Sequence, residues 1–169
     1  GLFSHIFRET MGREIGYAFP RLSWEEAMDR YGSDKPDLRF DLPIVDLTDW
    51  AAGCGFSVFR REAEAGGAVR AINAKGCAEL PRSAIDALGG NAVSYGAKGM
   101  AWIALRPDGT VHSILTKYFT KEELDSLLRR MDAAPGDLIV FGAGALSQVR
   151  KTLGLLRLDL GDLLGLREG

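Results

Sequence analysis

The sequence predicts an α+β fold: a two-layer sandwich built on a mainly antiparallel sheet, with helices packed on one face. Three observations carry that expectation. MAWIAL (100–105) and Val111 to Leu115 flank the turn sequence Pro107-Asp108-Gly109, which predicts a hairpin. Two capping boxes, Ser23 with Glu26 and Thr120 with Glu123, open amphipathic helices. Long helices do not alternate strictly with strands, as a parallel sheet requires. The chain of 169 residues is 46% hydrophobic and 26% charged, enough to bury one core.

Taken in order, Leu2, Phe3, Ile6 and Phe7 lie at helical spacing. The helix capped by Ser23 should reach Tyr31, where Gly32 can adopt the positive φ that ends it. Lys35 precedes Pro36 and is forced out of helical conformation, so RYGSDKPDLRF (30–40) is a helix exit and a connector. LPIVDL (42–47) predicts a strand, and Thr48 a short helix through Ala52. FSVFR (56–60) and AVRAIN (68–73) alternate as half-buried strands do. Pro81 suits a first helical turn, and Ile85 and Leu88 share a face before Gly89-Gly90 weakens the helix. Leu124, Leu127, Leu128 and Met131 form the stripe of the helix capped by Thr120. DLIVFGAG (137–144) predicts a buried strand, and Val149, Leu153, Leu156, Leu160 and Leu163 a long closing helix. Residues 1–40 read as a connector outside the sandwich, and 41–169 as the domain.

The net charge of −2 argues against an autonomous nucleic-acid binder while permitting a local basic face. Cys54, Cys77, His5 and His112 are the only thiols and imidazoles, too few and too scattered for a structural zinc site. With no apolar run of membrane-spanning length and no signal-peptide pattern, the expectation is a cytoplasmic protein without membrane contact. A start at Gly1 inside a helical pattern suggests a piece of a longer protein, or else a trimmed tag or removed methionine.

Several stretches invite a functional reading, and each has a structural alternative. GAGALSQVR (142–150) follows a strand and precedes a helix, so its amides suit an anion, but neither dinucleotide nor P-loop spacing is present and the reading preferred is a strand-to-helix turn that needs small residues. FRRE (59–62) reads as a nucleotide clamp or as a strand end with solvated arginines. Lys98, between glycines in YGAKGMAW (95–102), suits a phosphate contact or a solvated turn. Arg129-Arg130 and Arg150-Lys151 read as solvated helix surface. Asp34, Asp37 and Arg39 are either catalytic or fix the connector by hydrogen bonds and ion pairs.

FPRLSWEEAMDRYGSDKPDLRFDLPIVDL, followed by YGAKGMAWI, FTKEELDSLL, APGDLIVFGAG and LGLLRLDLGDLLGL, resembles the insertion domain, of GAD type, of bacterial aspartyl-tRNA synthetases. The resemblance covers nearly the whole chain. It implies a parent ligase of class II that charges tRNA with aspartate using ATP and magnesium, acts as a homodimer, and carries its catalytic core on flanking sequence. It implies no catalytic, cofactor or metal residue in this chain, which should be inactive alone. FRRE and GAGALSQVR imitate the second and third class-defining motifs but fall inside the insertion, so the resemblance makes them decoys. It further implies that Asp34, Lys35, Asp37 and Arg39 dock the seam against that core, and that Lys98 lies on the side of the tRNA acceptor stem. A domain of this kind also occurs in the B subunit of a tRNA amidotransferase, which leaves a free-standing RNA- or protein-binding module as the alternative.

Overall fold

The computed structural model describes residues 2–12 and 21–167. Its elements are α1 (Leu2–Met11), α2 (Trp24–Tyr31), β1 (Ile44–Asp46), α3 (Thr48–Gly53), α4 (Ser57–Glu64), β2 (Ala68–Ala74), α5 (Arg82–Ser94), β3 (Ala101–Leu105), β4 (Val111–His112), a 3₁₀ turn (Ile114–Tyr118), α6 (Lys121–Arg130), β5 (Leu138–Gly144) and α7 (Leu146–Leu163). Of the residues read as an apolar stripe on α1, Ile6 is exposed, and the side chains of Leu2, Phe3 and Phe7 lie outside the described residues.

The strands form one sheet in the order β1-β2-β5-β3-β4, and every neighbouring pair is antiparallel. The α+β class and the antiparallel sheet therefore stand as expected. The longest pairing runs from Ala68 opposite Gly144 to Ala74 opposite Leu138. Both strands of that pair are apolar almost throughout, because they are covered on both sides.

Strand alternation sends Ile72, Ala74, Leu138 and Val140 to one face, where they meet Ile85 and Leu88 of α5 and Val149, Leu153, Leu156 and Leu160 of α7. Val69, Ala71, Ile103, Ile139 and Phe141 point the other way, onto Trp50 of α3, Phe59 of α4 and Leu127 of α6. Helices thus pack on both faces, and the expected two layers are three. The correction has a local cause: FSVFR is the start of helix α4, not a strand. Phe56 and Phe59, three residues apart, both pack inward while Ser57 and Val58 between them are exposed, a division that helical spacing produces and strand alternation does not.

Two further boundaries differ from expectation. The return strand of the hairpin stops at His112, because the Ser113 hydroxyl accepts from the Leu115 amide at 3.0 Å and starts the 3₁₀ turn. Helix α5 runs through Gly89 and Gly90 to Ser94. Each glycine costs about 1 kcal/mol in a helix interior, and burial of Ile85, Leu88 and Ala92 on either side offsets it.

The connector expected to stand outside the sandwich is packed on it. Helix α2 lies on α7, and the contact is between backbones: a Cβ on Gly154 would stand 2.7 Å from the Gly32 carbonyl oxygen. Gly32 also has φ +67° as it ends α2, so two requirements fall on that residue.

Candidate functional site

The connector from Gly32 to Leu42 is shaped by one residue that the sequence does not advertise. Arg157 of α7 is 1% exposed. Its Nη2 donates to the carbonyls of Phe40 at 2.7 Å, Asp37 at 2.8 Å and Asp41 at 3.0 Å, and its Nε donates to that of Leu42 at 3.1 Å. The guanidinium carbon also lies 4.1 Å from the Phe40 ring centroid and 4.7 Å from that of Tyr31. Burial pushes this guanidinium below its ordinary value, yet an arginine stays charged in proteins. Four carbonyl dipoles and two ring faces take the place of water around it.

On the outside of the same loop, Asp37 and Arg39 bind each other. Arg39 donates from Nη2 to Asp37 Oδ2 at 2.8 Å and from Nε to Oδ1 at 3.1 Å, and the Arg39 amide also donates to Oδ1 at 3.1 Å. The Arg39 side-chain hydrogen bonds hold the Asp37 carboxyl at about 2, below its ordinary 3.8. Arg39 Nη1 reaches the carbonyl of Arg167 at 2.9 Å, joining the connector to the chain after α7. Asp34 and Lys35 are exposed, and the Lys35 amide donates to the Ser33 hydroxyl at 3.1 Å. Of the residues assigned to docking, then, Asp37 and Arg39 form one unit, and Asp34 and Lys35 project beside it.

A second clamp holds α2. Asp29 accepts from Arg70 of β2 at 2.7 Å and from Arg150 of α7 at 3.0 Å, and Arg70 also donates to Asp46 of β1 at 3.0 Å. Burial pushes the Asp29 carboxyl up, but the hydrogen bonds from Arg150 and Arg70 outweigh it and the net shift is downward. Arg150, expected to be solvated surface, is a half-buried tether: its side chain is mostly covered because a carboxylate waits across the α2–α7 contact. Arg130 likewise pairs with Asp49 at 2.7 Å, while Lys151 is exposed as expected.

Lys98 is 90% exposed and stands 3.6 Å from Glu62 of α4. That ion pair brings the YGAKG turn beside FRRE, now a helical segment whose Arg60 donates to the Cys54 carbonyl at 3.3 Å. GAGALSQVR forms the β5-to-α7 turn, in which no side chain caps the helix. Gln148 there donates to the Tyr95 carbonyl at 2.8 Å and to the Thr152 hydroxyl at 3.0 Å. Cys54 and Cys77 are buried and unbridged, and burial pushes both thiols up. The His112 ring is stacked on Trp102. Among the described residues, no three His, Cys, Asp or Glu gather as metal ligands. Nor is any helix among them long and apolar enough to cross a membrane.

Comparison with known proteins matches residues 59–153 to the GAD domain family. The chain is 48% identical over 167 residues to the aspartate–tRNA(Asp/Asn) ligase of Symbiobacterium thermophilum, covering 99% of this chain and 28% of that protein. It is 47% identical over 165 residues to the enzyme of the same name from Moorella thermoacetica, covering 98% and 27%. It is 45% identical over 165 residues to the aspartate–tRNA ligase of Agathobacter rectalis, covering 98% and 28%. The chain therefore spans little more than a quarter of the length of these relatives. The matched segment begins in α4 and ends within α7, so it takes in both faces of the sheet, and the chain belongs to the GAD domain family.

Proposed function

We propose that this chain is the insertion domain of an aspartyl-tRNA synthetase, and that the polypeptide carrying it charges tRNA with aspartate in the cytoplasm. One observation supports this above the others: similarity to ligases of that name extends over essentially the whole chain, connector included. ATP and magnesium, which the reaction needs, are assigned to the rest of that polypeptide. A homodimeric parent belongs to the same proposal.

Within it, this chain has two tasks. Asp34, Lys35, Asp37 and Arg39 present a charged seam to the catalytic core of the same polypeptide, and the Arg157 clamp behind them keeps that seam rigid. Lys98 offers its ammonium to a tRNA phosphate, which requires exchanging Glu62 for the phosphate oxygen. A free-standing GAD module is the second reading, favoured by the confinement of the family match to residues 59–153.

Aspartate-dependent pyrophosphate–ATP exchange and tRNA charging test the proposal. The full-length polypeptide should show both, and this chain alone neither. Exchange by the isolated chain, or none by the full-length protein, would overturn it. Replacing Lys98 by alanine in the full-length protein should make the salt dependence of tRNA affinity shallower by about one contact, roughly 0.7–0.9 in log–log slope; an unaltered slope would remove Lys98 from the interface.

A further inference from the structure

Helix α5 carries two adjacent glycines, Gly89 and Gly90, that its surroundings do not require. A Cβ built on either would meet no atom within 4 Å, and neither has the left-handed backbone that favours glycine. The same holds for Gly99, nine residues further on. No close approach and no tight turn accounts for these three. In a helix their effect is to make opening easy: exchanging an interior glycine for alanine favours the helical state roughly fivefold.

The two sides of the glycine pair are held differently. On the N-terminal side, Ile85 and Leu88 are buried in the core beneath α7. On the C-terminal side, the one buried residue of the helix is Ala92, whose side chain is a single carbon, and Val93 is 53% exposed. Tyr95 and Ala97 lean on the core from its half-exposed margin. Polar contacts do the rest. Asp159 of α7 accepts from Asn91 Nδ2 at 3.0 Å and from the Tyr95 hydroxyl at 2.9 Å, and Gln148 donates to the Tyr95 carbonyl at 2.8 Å. Such bonds at a margin open to water contribute little net stability, because water replaces them when they break. Buried apolar surface has no such substitute.

The YGAKG turn belongs to this second half. The Gly96 amide donates to the Val93 carbonyl at 2.9 Å and the Ala97 amide to that of Ala92 at 3.0 Å, so the turn is tied to the helix end. Beneath it lies a cleft of about 210 Å³, with Ala97 and Lys98 on one side and Gly142, Gly144 and Gln148 on the other.

We propose that residues 91–98 form a flap, pivoting on Gly89-Gly90 and Gly99 and latched by Asp159 and Gln148, that opens the cleft in front of the β5-to-α7 turn. Opening carries Lys98 away from Glu62, its partner at 3.6 Å, so one motion both frees the ammonium and widens the cleft. The device is a property of the fold and goes beyond the phosphate contact proposed for Lys98.

Hydrogen exchange in the full-length polypeptide tests it, resolved to single amides by fragmentation mass spectrometry, corrected for intrinsic rates and run where exchange reports the opening equilibrium. Amides of residues 91–97 should open at least about tenfold more often than those of 86–88 in the same helix, as expected of a separately opening unit. Gly89→Ala combined with Gly90→Ala, for which space is free, should reduce opening of 91–97 by about tenfold or more and leave 86–88 as they were. Tyr95→Phe, which removes only the donor to Asp159, should raise opening of 91–97 by about two- to tenfold. Equal opening of the two halves would overturn the flap, since α5 would then move as one piece. So would an alanine pair that slows both halves alike or neither. An unchanged Tyr95→Phe profile would overturn the latch.

Discussion

The two faces of the sheet solve the same problem by different means. On the face covered by α3, α4 and α6, the contacts are aromatic and aliphatic: Phe59 lies 5.3 Å from Phe141, and Trp50 stands edge-on to Phe119 at 5.2 Å. On the face covered by α5 and α7, an apolar core of similar extent is bordered by arginines, with Arg157 holding the connector by its carbonyls and Arg70 and Arg150 holding Asp29. Burial of apolar surface is sufficient to close a layer, since it needs no direction. Hydrogen bonds to a guanidinium are directional, and they appear where one conformation of a loop has to be selected from many. The first face is built to be full; the second is built to hold a segment in register.

Three changes would break or sharpen this contrast. The largest effect is expected from Phe141→Ala on the aromatic face, at about 3–5 kcal/mol of lost stability, seen as a lower urea midpoint with the connector as resistant to proteolysis as before. Arg157→Met should cost on the order of 3 kcal/mol, because charge-assisted hydrogen bonds are lost and carbonyls are left unpaired. Its distinguishing sign is faster cleavage within residues 33–41 well below the global transition. If both variants loosen the connector alike, the division of labour between the faces is wrong.

The smallest effect concerns pH. Asp37 is held at about 2 in the fold against an ordinary 3.8, so the unfolded chain binds the proton more readily. The contribution is present above 3.8 and is lost as the pH falls through about 2. Asp37→Asn should lower the melting temperature slightly near neutrality, and the gap to the parent chain should close between pH 4 and pH 2. A gap that is constant over that window would remove the Asp37–Arg39 ion pair as its source.

Much of the fold was legible because local signals agreed with one another. Thr120 and Glu123 form the full reciprocal capping box, at 3.1 and 3.0 Å, and Ser23 accepts from the Glu26 amide at 3.1 Å. Gly32 ends its helix in the left-handed conformation expected of it. FSVFR misled because five residues can satisfy a period of two and a period of 3.6 together. The following REAEAGG held the resolving signal: helix formers, then Gly66 at φ +80° just past the helix end.

The site was less legible, since its key residues act across the chain. Asp29 meets Arg150 over 121 positions, and no spacing rule links them. Arg157 did leave a trace: it stands four residues after Leu153 and three before Leu160, on the apolar stripe of α7, where a lone charge requires a partner. The partners are backbone carbonyls, which carry no residue type for a sequence to reveal.

The Arg39–Arg167 hydrogen bond has an evolutionary corollary. A host chain interrupted between those two residues would find its broken ends no farther apart than one arginine side chain and a hydrogen bond. Such a cassette can be gained or lost by genetic insertion without stretching the enzyme around it, as neighbouring termini generally permit. It would hang from its host like a pendant on a single ring.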